Sequence, residues 1–365
     1  MPEQLKLEII TFFWGENTMR SQIFNKAVLC CSLMLLIALS AQVVAQPSSS
    51  GGFRGRGIYG DWQIKMKFGE REFESILSFS RNQEGQYTGQ WISLWGGMRD
   101  LQDVKFEDNK LSFVQVFRSN DNQLTQNFTG TVEDGKITGV MSGDRGESKV
   151  EGQRSLRMSR AVGNWELKYK FGDREITSTL AITENKEGEL TGQWQSQRGE
   201  NKITDLQFDR RERKLTFKRE RKFQDRQFES TFEGTIGRDN TLSGVMKSDR
   251  GEAQVEGKLI GAALIGTWNL DMEFDWGGTG KQRLRVNPDL SALHGSYLIK
   301  KINLDGDKVS FKFVRSSGDG NREFEFNFEG KIADNKLTGE LTRFPGSTAK
   351  VTGTKRTFRR RDTGQ

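Results

Sequence analysis

Arginines that interrupt the apolar face of predicted strands are the residues with the clearest capacity for chemistry. Counting by twos from Leu215 places Arg219 and Arg221 on a face that is otherwise apolar, and the following strand adds Arg226. An unpaired guanidinium is costly to bury. These side chains must therefore be paired or lie at an open end of the fold.

Equivalent strands in two related segments carry Gln115 and Arg315 on the same face. Arginine presents a planar fork of donors that matches carboxylate and phosphate groups. We therefore predict a basic mouth for a small or anionic ligand, such as a carboxylate, a phosphate or an acidic glycan. The alternative is that the arginines reach into water where the strands splay, without a ligand.

The residue inventory excludes several kinds of catalytic site. The 365-residue sequence has one histidine, His294, and its only cysteines are Cys30 and Cys31. These residues cannot supply a Ser-His-Asp triad, or a metal site rich in cysteine or histidine. We therefore expect no metal, no cofactor and no catalytic residue.

Carboxylates and loop aromatics leave two further options. The segments SGDRGE (142–147) and KSDRGE (247–252) each hold an acid pair, and glycosidases use two carboxylates, although the same residues suit tight turns. An extracytoplasmic carbohydrate-active hydrolase is therefore kept as an alternative function. Trp95 and Trp276, in glycine-flanked loops, could stack on sugars or cover the end of a domain.

The charge of the chain is basic but mixed. The formal net charge is +7, with acidic residues spread among the basic ones, which indicates only a mild preference for acidic partners. The basic run 210–226 contains phenylalanines, as nucleic-acid patches do, but Glu212, Glu220 and Asp225 interrupt it. We expect no nucleic-acid partner.

Three copies of a Gly-x-Trp motif organise the elements that must position these residues. Trp62, Trp165 and Trp268 lie 103 residues apart, and each is the third residue of a nine-residue segment with strict alternation, such as GDWQIKMKF. Alternation with a period of two predicts a half-buried strand. A repeated period of this length predicts tandem domains.

Each repeat is predicted to contain about eight short strands. A second aromatic follows each opening tryptophan by 29 residues, and we place these residues, Trp91, Trp194 and Tyr297, on the third strand. Pairs such as Asp134-Gly135 mark hairpin turns. We interpret all six aromatics as structural plugs of the domains rather than as chemical groups.

Regular short strands without helical segments predict an all-β fold. We predict three tandem eight-stranded antiparallel meander barrels, because closure removes exposed sheet edges; a two-sheet sandwich is the alternative. The predicted repeats span residues 59–155, 162–260 and 265–356, and a basic tail covers 357–365.

The N-terminal region is predicted to direct export. Residues 19–45 read as a signal peptide, with Arg20 and Lys26 before an apolar run of 15 residues, which is shorter than a membrane span. Residues 1–18 precede a more typical start at Met19, so we interpret them as an over-called start. Residues 46–58 form a Ser/Gly linker. We expect a secreted protein, periplasmic or in the cell envelope, with no membrane span after cleavage.

The repeats resemble calycins, the lipocalin-like and avidin-like meander barrels. The resemblance is carried by the Gly-x-Trp strand and by the strands EGQYTGQWIS and EGELTGQWQS, in which Ser93 and Ser196 match a ligand-contacting serine of avidins. The resemblance implies a barrel fold. Avidins place a biotin-contacting asparagine where this chain has Ile64, Leu167 and Leu270, so biotin binding is not implied.

Together these features favour a secreted, non-catalytic β-repeat protein that serves as a binding or cell-envelope interaction module for a small or anionic ligand or a glycan. The alternatives are the carboxylate-dependent hydrolase and a purely structural surface protein. An interior filled by side chains would favour the structural reading, and an open polar cavity would favour binding.

Overall fold

The computed structural model describes residues 57–68, 71–93, 97–119, 122–144, 146–172, 174–197, 199–223, 226–316, 322–344 and 346–356. The predicted start, the signal peptide, most of the linker and the basic tail lie outside these ranges. Within them, all regular structure is strand, arranged in three antiparallel sheets, so the all-β prediction is confirmed. The same ranges contain no helix with the length and apolar character of a transmembrane segment.

The first sheet, called barrel 1, is nearly closed. Its strands are β1 (Gly60–Phe68), β2 (Arg71–Arg81), β3 (Tyr87–Ser93), β4 (Gly97–Asp100), β5 (Gln102–Glu107), β6 (Lys110–Ser119), β7 (Asn122–Glu133), β8 (Lys136–Gly143) and β9 (Gly146–Arg154). The order is β4-β3-β2-β1-β9-β8-β7-β6-β5. The first and last strands of the meander pair, and the ladder is interrupted only between β4 and β5.

The second sheet, barrel 2, is a closed eight-stranded barrel. Its strands are β10 (Gly163–Phe171), β11 (Arg174–Glu184), β12 (Leu190–Ser196), β13 (Gly199–Asp209), β14 (Lys214–Phe223), β15 (Arg226–Ile236), β16 (Thr241–Ser248) and β17 (Gly251–Leu259). Each strand pairs with the next, and β17 returns to β10. This is the meander barrel that the calycin resemblance implies.

The third sheet, barrel 3, repeats the order of barrel 1. Its strands are β18 (Gly266–Phe274), β19 (Thr279–Val286), β20 (Ala292–His294), β21 (Tyr297–Ile299), β22 (Asn303–Asp305), β23 (Lys308–Ser316), β24 (Glu323–Ala333), β25 (Lys336–Phe344) and β26 (Ser347–Lys355). The ladder is interrupted between β21 and β22.

Barrels 1 and 3 therefore have nine strands rather than the predicted eight, because the fourth strand is divided. At each break a large apolar residue, Leu101 or Ile302, is buried in or beside the core. Its backbone N–H donates to a carbonyl near the preceding hairpin, that of Gly89 or Leu290, at 2.8 Å in both barrels. Barrel 2 keeps one continuous strand here, β13, with a register shift near Thr204.

The cores are filled largely by aromatic side chains. Each barrel stacks two phenylalanines from adjacent strands at centroid distances of 4.7–4.8 Å; the pairs are Phe113–Phe128, Phe217–Phe232 and Phe311–Phe328. In barrel 2 the Phe232 ring lies over the cross-strand pair Gly234 and Gly244, and a Cβ on Gly234 would lie 2.5 Å from that ring. The recurring Phe-x-Gly pattern is therefore a packing requirement.

The register of barrel 3 shows that the prediction of Tyr297 on the third strand was wrong. The third strand ends at His294, and Tyr297 begins β21, the next strand, directly opposite it. The equivalent cross-strand ladders are Trp62–Leu77–Trp91, Trp165–Leu180–Trp194 and Trp268–Leu284–His294. His294, not Tyr297, occupies the position of the second tryptophan.

Loop lengths explain the error. Trp268 and Leu284 are 16 residues apart, against 15 for Trp165 and Leu180, so the first hairpin of barrel 3 is one residue longer. Leu284 and His294 are 10 apart, whereas Leu180 and Trp194 are 14 apart. His294 therefore follows Trp268 by 26 residues, whereas Trp194 follows Trp165 by 29. Tyr297, three residues after His294 and on the next strand, consequently falls at the expected spacing of 29.

Candidate functional site

The tryptophan of each Gly-x-Trp motif closes one end of its barrel, called the plugged end. Each indole is fully buried, and its Nε1 donates to the carbonyl of the residue four positions earlier. The acceptors are Ile58 for Trp62 (2.8 Å), Ala161 for Trp165 (2.9 Å) and Leu264 for Trp268 (2.7 Å). This bond fixes the turn that leads into the first strand, and so fixes the residues around each motif.

Basic side chains cover two of the three plugs. The Arg154 guanidinium lies 4.3 Å from the Trp62 ring, and Lys355 Nζ lies 5.5 Å from the Trp268 ring. Arg154 also donates to the carbonyls of Tyr59 and Gly57. Burial, together with the neighbouring Arg157, lowers the pKa of Arg154. Positive charge is thus concentrated around the plugged ends.

The plugged ends of the three barrels meet at a single cleft, called the junction cleft, of about 410 Å³. Barrel 1 contributes the start of β1, barrel 2 contributes the β15–β16 hairpin, and barrel 3 contributes β19 with the following loop. Six arginines line it: Arg157, Arg160, Arg238, Arg283, Arg285 and Arg356. Among the described residues of the lining, Asp61 is the only acid.

Asp61, the middle residue of the first Gly-x-Trp motif, joins barrel 1 to barrel 3. Its two carboxylate oxygens accept from Arg283 Nη1 at 3.0 Å and from Arg285 Nη1 at 3.1 Å. The Arg283 side chain is only 1% exposed. A buried guanidinium needs a partner of this kind, so Asp61 holds both arginines in place.

The ionisation of Asp61 is controlled by this environment. Burial acts to raise its pKa, but the charge of Arg283, a hydrogen bond from Ser78 and the charge of Arg285 outweigh burial, so the pKa is lowered. Burial lowers the pKa of Arg283, and the Asp61 charge opposes that change. The carboxylate is therefore ionised throughout the neutral range.

Further contacts set the position of barrel 1 against barrel 3. Gln282 Nε2 donates to the carbonyl of Ser93 at 3.3 Å, and Ser296 Oγ donates to the carbonyl of Glu74 at 3.3 Å. Gly97, which has a φ of 68°, lies so close to barrel 3 that a Cβ there would be 2.6 Å from the Lys281 carbonyl. These contacts fix β19, which carries Arg283 and Arg285.

The connection between barrels 1 and 2 positions two more arginines. The backbone N–H of Ser159 donates to the Glu184 carboxylate at 2.8 Å, and the Ser159 hydroxyl accepts from the N–H of Ala161 at 3.3 Å. Arg157 and Arg160, on either side of Ser159, are exposed at the cleft. The linker therefore presents two cations from a pinned backbone.

The predicted mouth residues lie elsewhere, on the strands of three different barrels. Arg219 Nε donates to Ser230 Oγ at 3.1 Å, and its guanidinium stacks 4.9 Å from the Trp194 ring. Arg221 is half-buried on the same strand, toward the end opposite the plug, called the far end. Gln115 is buried in barrel 1. Arg226 begins β15, and its side chain lies outside the described part of the structure.

In barrel 3, Arg315 is buried and lies 5.5 Å from the Phe326 ring. Burial lowers its pKa to about 10, although the Tyr297 charge opposes this. His294 is also buried, and burial together with the Arg315 charge lowers its pKa to about 4. The five candidates are thus not brought into one site, and those with described contacts pack against their own barrels.

Sequence reasoning missed Asp61, Arg283 and Arg285 as site residues. All three lie on the outward faces of strands, where charged residues are ordinarily solvated. One signal was present: the middle residue of the Gly-x-Trp motif is an acid only in the first copy, and it is Asn164 or Thr267 in the others.

The described residues contain no group of three or more histidine, cysteine or acidic side chains that could hold a metal ion. The charged groups that line the junction cleft are mainly guanidinium groups. Several arginines around one half-open space suit carboxylate or phosphate groups, which accept two parallel hydrogen bonds from one guanidinium.

No protein-family model matches the chain, and no curated protein sequence matches it. Among solved structures, a Bacteroides fragilis protein provisionally described as an outer membrane protein is 10% identical, with 82% of this chain and 98% of that chain covered and a TM-score of 0.22. A Nostoc punctiforme protein of unknown function from the DUF3598 family is 12% identical, with 82% and 96% covered and a TM-score of 0.20. Transferrin-binding protein B of Haemophilus parasuis is 9% identical, with 82% and 76% covered and a TM-score of 0.19. Overlap at this level assigns no function.

Proposed function

We propose that this protein is a non-catalytic binding protein of the cell envelope, and that its junction cleft binds a small anionic ligand. The barrel interiors are filled by side chains, so the proposal does not rest on a ligand cavity inside a barrel. The observation that carries it is the composition of the cleft between the barrels, whose lining includes six arginines and one acid, Asp61. Two of the six already share that acid. Arg157, Arg160 and Arg238 are exposed where they border the same space, and their guanidinium groups suit a ligand that carries phosphate or carboxylate groups.

The geometry of the cleft supports binding more than catalysis. A glycosidase-type reaction needs two carboxyl groups about 5–9 Å apart across the scissile bond. The described lining of the cleft contains one carboxylate, and it is bonded to Arg283 and Arg285. The hydrolase alternative therefore gains no support from this site.

The envelope location rests on the predicted signal peptide at residues 19–45. Export would place the cleft among anionic molecules outside the cytoplasm. The proposal includes both a secreted protein and a periplasmic one. Fractionation of cells that express the full chain would distinguish the two.

The binding proposal can be tested by calorimetric titration of the full chain with inorganic pyrophosphate and with citrate. We expect binding that weakens as salt is raised, because exposed charges are screened. The triple variant Arg157→Gln, Arg160→Gln, Arg238→Gln should bind at least about tenfold more weakly, since one hydrogen bond to a charged group contributes about 1.5–3 kcal/mol.

A matched control is the double variant Arg219→Gln, Arg221→Gln, which removes arginines from the far half of barrel 2 and leaves the cleft intact. It should bind the two anions like the unmodified protein. If this control loses binding while the cleft variant keeps it, the ligand site lies in the barrel mouth and the proposal is wrong. If neither anion binds even at low salt, an anion-binding cleft is also excluded.

A further inference from the structure

Two hairpins at the far end of barrel 3 differ in kind from their counterparts in barrels 1 and 2. The β18–β19 hairpin carries Trp276, whereas the sequence between the corresponding strands of the other barrels is Gly-Glu (69–70) and Gly-Asp (172–173). The β25–β26 hairpin carries Phe344 where the others have Asp144 and Asp249. One barrel of three has therefore replaced charged tips by aromatic ones.

These aromatic side chains are exposed to solvent. Trp276 is 63% exposed and Phe344 is 55% exposed, and they are the two most exposed aromatics of the described residues. Both hairpins adjoin β26, since β18 and β25 each pair with that strand. The two tips therefore lie at the same end of the barrel, on neighbouring strand connections.

The indole of Trp276 lies flat on its hairpin. Its ring stacks on Phe274, with centroids 5.3 Å apart and planes 16° from parallel. The ring also lies against the backbone of Gly278. A Cβ at that position would be only 1.9 Å from the ring, so a glycine is required there. A side chain in this position presents one broad face to solvent and does not project from the surface.

The hairpin is also held firmly. The Asp275 N–H donates to the Thr348 carbonyl at 2.9 Å, and the Thr348 N–H donates to Asp275 Oδ2 at 2.9 Å. Within the hairpin, the Phe274 N–H donates to the Gly278 carbonyl at 2.8 Å. A stacked ring on a pinned hairpin loses little conformational freedom when a ligand binds.

This arrangement selects the chemistry of its ligand. A flat exposed indole accommodates the apolar face of a sugar ring, and a sugar hydroxyl group can donate to the carboxylate of Asp275, the exposed residue next to the indole in the same hairpin. A carboxylate beside the ring disfavours an anionic ligand. Insertion into a lipid surface would require an indole that projects outward, and this one lies flat.

We propose that Trp276, with Asp275 beside it and Phe344 on the neighbouring hairpin, forms a stacking platform for a neutral glycan. The platform is separate from the junction cleft, because it lies at the far end of barrel 3 and the cleft lies at the plugged ends. The protein would then join an anionic ligand at one place to a neutral saccharide at another.

The test is calorimetric titration of the full chain with a panel of neutral oligosaccharides: cellohexaose, chitohexaose, maltohexaose and laminarihexaose. At least one should bind, Trp276→Ala should weaken that binding at least about tenfold, and Trp276→Phe should retain part of it. Because the indole is mostly exposed, the melting temperature of Trp276→Ala should stay close to that of the unmodified protein, which separates lost binding from lost folding.

Two controls separate the platform from other surfaces. Val314→Ser removes another exposed apolar side chain of barrel 3 and should leave saccharide binding unchanged, as should the triple arginine variant of the cleft. The proposal is overturned if no member of the panel binds, or if Trp276→Ala binds the saccharide normally. It is also overturned if the Trp276-dependent binding is to neutral phosphatidylcholine vesicles instead.

Discussion

Asp61 is the single residue on which the arrangement of barrels 1 and 3 depends most directly. It neutralises Arg283, a guanidinium that is almost wholly removed from water. Breaking a buried ion pair by removal of one partner commonly costs about 3–5 kcal/mol, because the other charge is left uncompensated. The same carboxylate also lowers the net charge of the junction cleft.

We predict that Asp61→Asn lowers the free energy of unfolding at pH 7 by about 3 kcal/mol. The lowered pKa of Asp61 makes its contribution fully present above its ordinary value of 3.8 and lost as the pH falls through the lower folded value. The difference between the two proteins should therefore shrink below about pH 4. Urea unfolding at several pH values measures this.

The control for this prediction is Asp205→Asn. Asp205 pairs with Lys218 at 2.7 Å, but both side chains are more than half exposed. An exposed pair contributes at most about 1 kcal/mol. If the two variants prove equally stable at neutral pH, Asp61 is not the inter-barrel anchor described above.

His294 gives a second prediction at this scale. Burial holds its pKa near 4 in the folded protein, below the ordinary 6.5. The unfolded chain therefore binds more protons between these values, so stability should fall, by on the order of 2–3 kcal/mol, as the pH drops from 6.5 toward 4. His294→Phe, which keeps a ring beside Phe313, should remove this part of the pH dependence.

Thermal unfolding of both proteins across pH 4–7 measures the effect. A histidine variant with the same slope as the unmodified protein over this range would show that His294 is not held neutral in the core. The proposed ligand sites do not involve this residue, so anion and saccharide binding should be unchanged at pH 7.

At the scale of elements, the most regular feature is the glycine pair under the core phenylalanine. Gly234→Ala would place a Cβ 2.5 Å from the Phe232 ring and 2.7 Å from the Ser243 carbonyl. Overpacking of this kind costs about 1–3 kcal/mol. We expect a loss of that size in chemical denaturation, whereas Ser243→Ala, on the exposed face of the adjacent strand, should change stability by less than about 0.5 kcal/mol. Equal effects of the two changes would contradict the packing role.

Strands were predictable because alternation with a period of two is a local signal, repeated three times. The opening strands, the hairpins and the all-β class follow from it. The division of the fourth strand was not predictable, because it depends on Leu101 and Ile302 being buried, which alternation does not encode. The spacing of Tyr297 misled for a related reason, since shorter loops bring His294 to the third strand three residues early and leave an unrelated aromatic at the expected position.

The junction cleft could not be predicted, because its residues come from segments that alternation treats as linkers or as solvent-facing positions. Arg157 and Arg160 belong to the connection after barrel 1, and Arg238 belongs to a hairpin tip. Only the packing of three barrels brings these side chains to one place. The predicted mouth arginines, by contrast, were visible because they break an apolar face.

At the scale of the whole molecule, the three tryptophan plugs organise the candidate site. Each plug fixes the first residues of its barrel, and the three plugged ends surround the cleft. No single barrel contains the six arginines, so the site exists only when the repeats are joined. The proposed anion binding therefore requires all three barrels.

The central claim is that an anionic ligand binds where the three barrels meet. The most direct measurement is hydrogen–deuterium exchange of the full chain with and without inorganic pyrophosphate. We predict slower exchange of backbone amides in residues 156–162, 237–241 and 287–291, which border the cleft from the connection between barrels 1 and 2, from barrel 2 and from barrel 3. Slower exchange confined to residues 217–223 and 226–230, at the far end of barrel 2, would contradict it.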